Sequence, residues 1–214
     1  MMRRLLFVLA LGLAAPAWAQ GTEDEPQAAP GSIAIGMIEE ANADGVFEIV
    51  HNGQVSVRHT ASGMRCDFAR NGDGGRLVLF PNLPRGDDVA CDWNDGQTFT
   101  TLYATRYPFN STLAEQIDGA AAAIRRHFPN AETYPGAVEQ NTDDGLPTRR
   151  TTRFIAIREG QRYYSRVSVA RVGSWIVKLR YSAPAPDAAA AADADRMGDG
   201  LMDGALREMM APHP

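Results

Sequence analysis

The chain has one lysine, Lys178, among its 21 basic residues, two cysteines, four histidines, and no apolar run long enough for a bilayer. Each scarcity removes a class of function. His51, His59, His127 and His213 form no H-E-x-x-H pair or other ligand set with a carboxylate at helical spacing, so no metal site is expected. The cysteines, Cys66 and Cys91, are 25 positions apart rather than in C-x-x-C, which argues against a redox couple or zinc knuckle. Walker loops, dinucleotide fingerprints and G-x-S-x-G elbows are missing, so no nucleotide or dinucleotide cofactor and no α/β-hydrolase chemistry is expected. Acids outnumber bases by 26 to 21, for a net charge of −5, which argues against nucleic acid or an anionic membrane as the main partner.

What is present begins with an address. Arg3 and Arg4 precede an apolar run from Leu5 to Ala15, and Ala17-Trp18-Ala19 supplies small residues for cleavage before Gln20. Residues 1–19 read as a secretory signal peptide, too short to span a bilayer. The expected location is periplasmic or secreted, with no transmembrane segment in the mature chain. Its removal leaves 195 residues and a charge of −7, since both signal cations go with it. Residues 20–31 are polar, with three acids and two prolines, and read as a disordered leader. Residues 32–211 are expected to form one domain of ordinary size. In an oxidising compartment Cys66 and Cys91 are expected to pair, closing a loop that constrains the unfolded chain by about 3 kcal/mol.

The domain reads as α+β: antiparallel sheet, a capped central helix and a C-terminal helix packed on the sheet, with both helices on one face. Ser32–Ile38 is a strand or a helical turn. Val46–His51 and Gln54–His59 flank Asn52-Gly53, a strong two-residue hairpin signal. That register sets Glu48 opposite Val57 and sends His51 and His59 to opposite faces at the hairpin surface. Short strands follow at Met64–Phe68, Arg76–Phe80, Val89–Trp93 and Thr98–Tyr107, so a Cys66–Cys91 bridge would staple two strands or two sheets. Thr112-Leu-Ala-Glu115 is a capping box, and Leu113, Ile117, Ala121, Ile124 and Phe128 continue it as an apolar helical stripe. Asn130–Pro147 is a polar connection. A meander then runs Arg153–Arg158, Arg162–Arg171 and Trp175–Tyr181, and a last helix carries Met197, Leu201, Met202, Ala205, Leu206 and Met209 as its stripe.

Two constellations carry chemistry. His59 and Ser62, three apart, can hydrogen bond as a base and a hydroxyl, though no orienting acid or oxyanion hole accompanies them. Arg166, Lys178 and Arg180 alternate with apolar residues in the meander and are expected to share one sheet face, with Arg153 beside them. Such cations can fork onto carboxylates or phosphates, or simply form the solvated face of the sheet.

The S-G-M-x-C segment at 62–66, D-V-A-C-D-W at 88–93, Tyr103-Ala-Thr-Arg-Tyr107, the capped helix and W-I-V-K-L-R-Y at 175–181 together resemble small exported proteobacterial proteins of uncharacterised function. In element order over residues 33–210 the chain is also similar to the PsbP-like α/β/α sandwich. That resemblance implies a binding or assembly accessory, without functional residues to carry over. The expected function is a non-catalytic periplasmic accessory module for a protein or small-molecule partner in the envelope. The alternatives are a small hydrolase using His59 and Ser62, and a structural envelope protein tethered by its methionine-rich last helix.

Overall fold

A computed structural model describes residues 28–140 and 145–212. The signal peptide, its cleavage point, most of the leader and His213 lie outside the described residues. Helix α1 (Pro30–Glu40) already includes Pro30 and Gly31, which were expected in the leader, with the proline at a helix start where its missing amide costs nothing. The Ser32–Ile38 segment is therefore helical.

Eleven strands follow among the described residues, in two antiparallel sheets. The small sheet has the order β1 (Phe47–Ile49), β2 (Ser56–His59), β3 (Arg65–Asp67). The large sheet runs β4 (Gly75–Leu79), β5 (Asp88–Asn94), β6 (Phe99–Thr105), β11 (Trp175–Pro184), β10 (Gln161–Val172), β9 (Arg149–Arg158) and β7 (Glu132–Thr133), with β8 (Glu139–Gln140) also on β9. Helix α2 (Leu113–His127) links β6 to β7, and α3 (Ala188–Met210) closes the domain. Among the described residues no helix is long and apolar enough to cross a membrane.

The β1–β2 register differs by one residue from the Asn52-Gly53 expectation: Glu48 faces Arg58 and Ile49 faces Val57. A one-residue slip moves every side chain to the other face. Here it removes the carboxylate from the valine face and sets it 3.5 Å from a guanidinium. His59 consequently points inward and is buried, contrary to its expected place on the hairpin surface, while His51 is exposed.

The helices lie on opposite faces of the large sheet, which corrects the expectation of a shared face. Ile117, Ala121 and Ile124 of α2 pack on Phe154, Val167, Val169 and Ile176. α3 packs on the other face, against Tyr164, Tyr181 and Leu179 through Ala191, Ala194, Met202 and Leu206. The reason lies in β10, where every residue from Tyr164 to Ala170 is buried, as a strand covered on both sides must be. The same α3 face carries the small sheet and α1 over β4–β6, with Cys66 of β3 bonded to Cys91 of β5 across the two sheets. The last helix is thus core rather than a tether, with Met202 and Leu206 fully buried. Met197, expected in its stripe, is exposed because Ala194, Gly198 and Met202 face inward instead.

Candidate functional site

Pairing across β10 and β11 decides which cations share a face. Arg166 stands opposite Tyr181, whereas Val167 faces Arg180 and Val169 faces Lys178. Lys178 and Arg180 therefore lie on the α2 face, and Arg166 on the α3 face. The expected trio is split.

Arg166 joins a seam under α3. It is 0% exposed. Its Nη1 donates to the Asp195 carboxylate at 2.8 Å, and its Nη2 to Asp199 at 2.8 Å and to Ser168 Oγ at 2.6 Å. Arg153 donates to Asp195 at 2.8 Å, and Arg149 pairs with Asp199 and Asp203. The three aspartates recur at every fourth position, one above another along α3. Burial alone would raise the Asp195 carboxyl. Hydrogen bonds from Tyr164 and Arg153 and the charges of Arg166 and Arg153 outweigh it and hold the group below its ordinary value. Gly198 completes the fit: a Cβ there would press into Arg166 Cδ and come within 3.0 Å of its Nε. This seam is structural, with its charges spent on each other. The sequence signal that could have revealed it is the Asp195-Asp199-Asp203 spacing inside an otherwise apolar helix stripe.

His59 and Ser62 do meet, with Nδ1 2.8 Å from Oγ, and the hydroxyl also accepts from the Met64 amide at 3.2 Å. They are 1% and 7% exposed, wedged behind Phe47 and Trp175, whose rings lie 5.3 and 5.2 Å from the imidazole. Burial lowers the His59 pKa to about 4, outweighing the pull of the Gly86 backbone and Asp87 for a proton. The pair fastens the β2–β3 turn against the large sheet, out of reach of a substrate in this conformation.

The remaining two cations have a different setting. α2 is short relative to the sheet and lies over β9 and β10, leaving no helix over this face of β4–β6 and the outer part of β11 among the described residues, although Ala90 and Thr105 there are buried. Between the flank of α2 and this open face runs a groove. One stretch, about 230 Å³, has Lys178 and Tyr103 as its floor and Glu115, Gln116, Gly119, Ala120 and Ala123 as its helix wall, with the Glu115 carboxylate held by Thr112 at the helix start. The second stretch, about 490 Å³, lies under the C-terminal end of α2 over Phe99, Ala156, Phe128 and Tyr163. Arg180 lines both, joining them end to end.

Lys178 Nζ sits 4.2 Å from the Tyr103 ring centroid, a cation–π contact, and that ring stacks on Phe80. Burial lowers the Lys178 pKa, Asp88 acts against it, and the neighbouring Arg180 adds to the lowering. Asp88 is raised by its own burial, and the hydrogen bond from Thr105 at 2.8 Å partly offsets this. Arg180 is exposed and, among the described residues, makes no hydrogen bond or ion pair through its side chain. Lys178 likewise makes no hydrogen bond or ion pair among the described residues, but it is half-buried with its ammonium over the Tyr103 ring, so Arg180 is the exposed cation of the two. No group of three His, Cys, Asp or Glu among the described residues is placed to hold a metal ion.

Comparison with known proteins adds little to this geometry. No family model and no curated protein sequence matches the chain. Among solved structures, LpqN from Mycobacterium tuberculosis, involved in cell envelope biogenesis, matches at 11% identity and a TM-score of 0.37, over 60% of this chain and 84% of its own. PA94 from Pseudomonas aeruginosa, a protein of unknown function, matches at 8% identity and a TM-score of 0.39, over 78% of this chain and 96% of its own. Likenesses of this degree assign neither family nor function, and they do not bear on the PsbP-like resemblance.

Proposed function

We propose that this protein is an extracytoplasmic, non-catalytic binding module that receives an anionic ligand or partner group in the groove between α2 and the open face of the large sheet. The observation that carries the reading is Arg180, a guanidinium at the junction of two clefts with no internal partner, beside the half-buried Lys178. An arginine in a recess with apolar walls offers paired donors to a carboxylate or phosphate and loses less hydration on binding than an ammonium. Export is supported by the signal-like residues 1–19 and by a buried disulfide, a bond that persists in oxidising compartments. Binding rather than catalysis is favoured because His127, the imidazole lining the larger recess, makes no hydrogen bond to its serine hydroxyls among the described residues, and the His59–Ser62 pair is buried elsewhere.

The test is photo-crosslinking in the native envelope, with a photoreactive amino acid placed at Thr101 or Ala123 in the groove, or at the exposed Met197 on the opposite face. Adducts are expected from the groove positions only. Equal labelling from Met197, or none from the groove, would count against the assignment.

A further inference from the structure

We propose that the larger stretch of the groove is a site for a single-chain anionic amphiphile, its head group on Arg180 and its hydrocarbon tail over Phe99, Ala156 and Phe128. This rests on the groove being the binding site and names the chemistry it takes. A recess of about 490 Å³ falls in the range of small-molecule sites, which combine apolar walls with a few placed polar groups. The floor is aromatic and aliphatic. Its polar groups are hydroxyls, with Ser182 donating to Ser165 at 2.8 Å, together with His127, Arg158 and Arg180, and no carboxylate is among its lining residues. An anion entering there meets hydroxyls and cations, with the Glu159 carboxylate 3.8 Å from Arg158 outside it. The rim is closed by His127 and by Arg158, whose guanidinium lies 4.9 Å over the Phe99 ring.

An extended peptide fits the same floor less well. A peptide that adds to a sheet needs free backbone donors and acceptors at a strand edge. The floor strands β6, β11, β10 and β9 each have a neighbour on both sides, so their ladders are occupied. The recess offers side chains only, and those suit a ligand with one charged end and no backbone to satisfy. Carboxylate and phosphate monoester heads share this chemistry, and competition between them separates the two.

The probe is cis-parinaric acid, titrated by fluorescence into the purified, disulfide-bonded protein and displaced by lauric acid, monododecyl phosphate or lauryl alcohol. Saturable binding near one per chain is expected, with either anion displacing the probe far better than the neutral alcohol. The stronger of the two anions identifies the head group. Affinity should rise about fourfold per added methylene while the tail still lies in the recess. Arg180→Gln, at an exposed position, should weaken binding by tenfold or more, as expected for a lost charge-assisted pair. Thr101→Trp, filling the recess, should abolish it. Non-saturable uptake, equal displacement by the alcohol, or binding unchanged in both variants would overturn the proposal. If the amphiphiles fail while groove crosslinks persist in the envelope, the ligand class is wrong and the groove assignment survives. If both fail, both fall.

Discussion

Arg166 and His59 show two ways of burying a titratable side chain. Arg166 has its donors satisfied by two carboxylates, a backbone carbonyl and two hydroxyls. His59 has one hydroxyl partner at Nδ1, while its buried Nε2 has none, so the neutral form is favoured. A group held at about 4 in the folded chain and near 6.5 when unfolded binds its proton first in the unfolded chain. The stability tied to its neutrality is therefore complete above pH 6.5 and is lost as the pH falls to about 4, by about 3 kcal/mol in all. Urea midpoints taken at intervals from pH 7 to 4 should fall through this window, and His59→Gln should flatten the fall. A slope unchanged in the variant would place the titrating group elsewhere. The contact between His59 and Ser62 was legible from their spacing. Their burial was not, because it depends on a one-residue difference in hairpin register, which pairs Glu48 with Arg58 and Ile49 with Val57.

At the level of elements, α3 is most informative because it packs a charged stripe and an apolar stripe onto the same sheet. Its three glycines look alike in sequence, but they sit in unlike places. Gly200 has open space where a Cβ would be, whereas Gly198 lies against the pinned Arg166 side chain. Gly200→Ala should stabilise the protein by about 0.5–1 kcal/mol, since alanine gains helix propensity at no steric cost. Gly198→Ala should destabilise it by about 1–3 kcal/mol, because Arg166 cannot yield without losing carboxylate bonds. Thermal unfolding of the pair measures both, and a shift of the same sign in each would refute the close approach. The capping box of α2 could be read directly, because Thr112 and Glu115 act within four residues. The faces of β10 could not, because a strand buried on both sides loses the alternation on which a one-sided reading depends. The same misreading grouped Arg166 with Lys178 and Arg180. The groove itself has no local signature, since its walls come from segments far apart in the chain.

Across the whole molecule, one disulfide ties the two sheets together in addition to the backbone that runs from β3 to β4. Cys66 belongs to the small sheet and Cys91 to the large one, and both are buried in the core they share. Reduction releases a loop of 25 residues and should lower stability by about 3 kcal/mol through the freedom restored to the unfolded chain. Chemical denaturation with and without a phosphine reductant, alongside a Cys66→Ala/Cys91→Ala double variant, gives the figure. An unchanged midpoint in the double variant would mean that the apolar contact between the sheets suffices.

The strand order has a consequence for how the molecule comes into being. β11, among the last segments of the chain, lies in the middle of the large sheet, between β6 and β10. Until it arrives, β4–β6 and β9–β10 are two separate ribbons, each with an unsatisfied inner edge open to wrong partners. The gap closes only when β6 and β11, separated in the chain by α2 and β7–β10, meet, a step that pays its loop-closure entropy before it gains any contact. A nascent chain therefore holds pieces of the fold without its centre. The time between emergence of β6 and docking of β11 is when this protein is most exposed to misassembly.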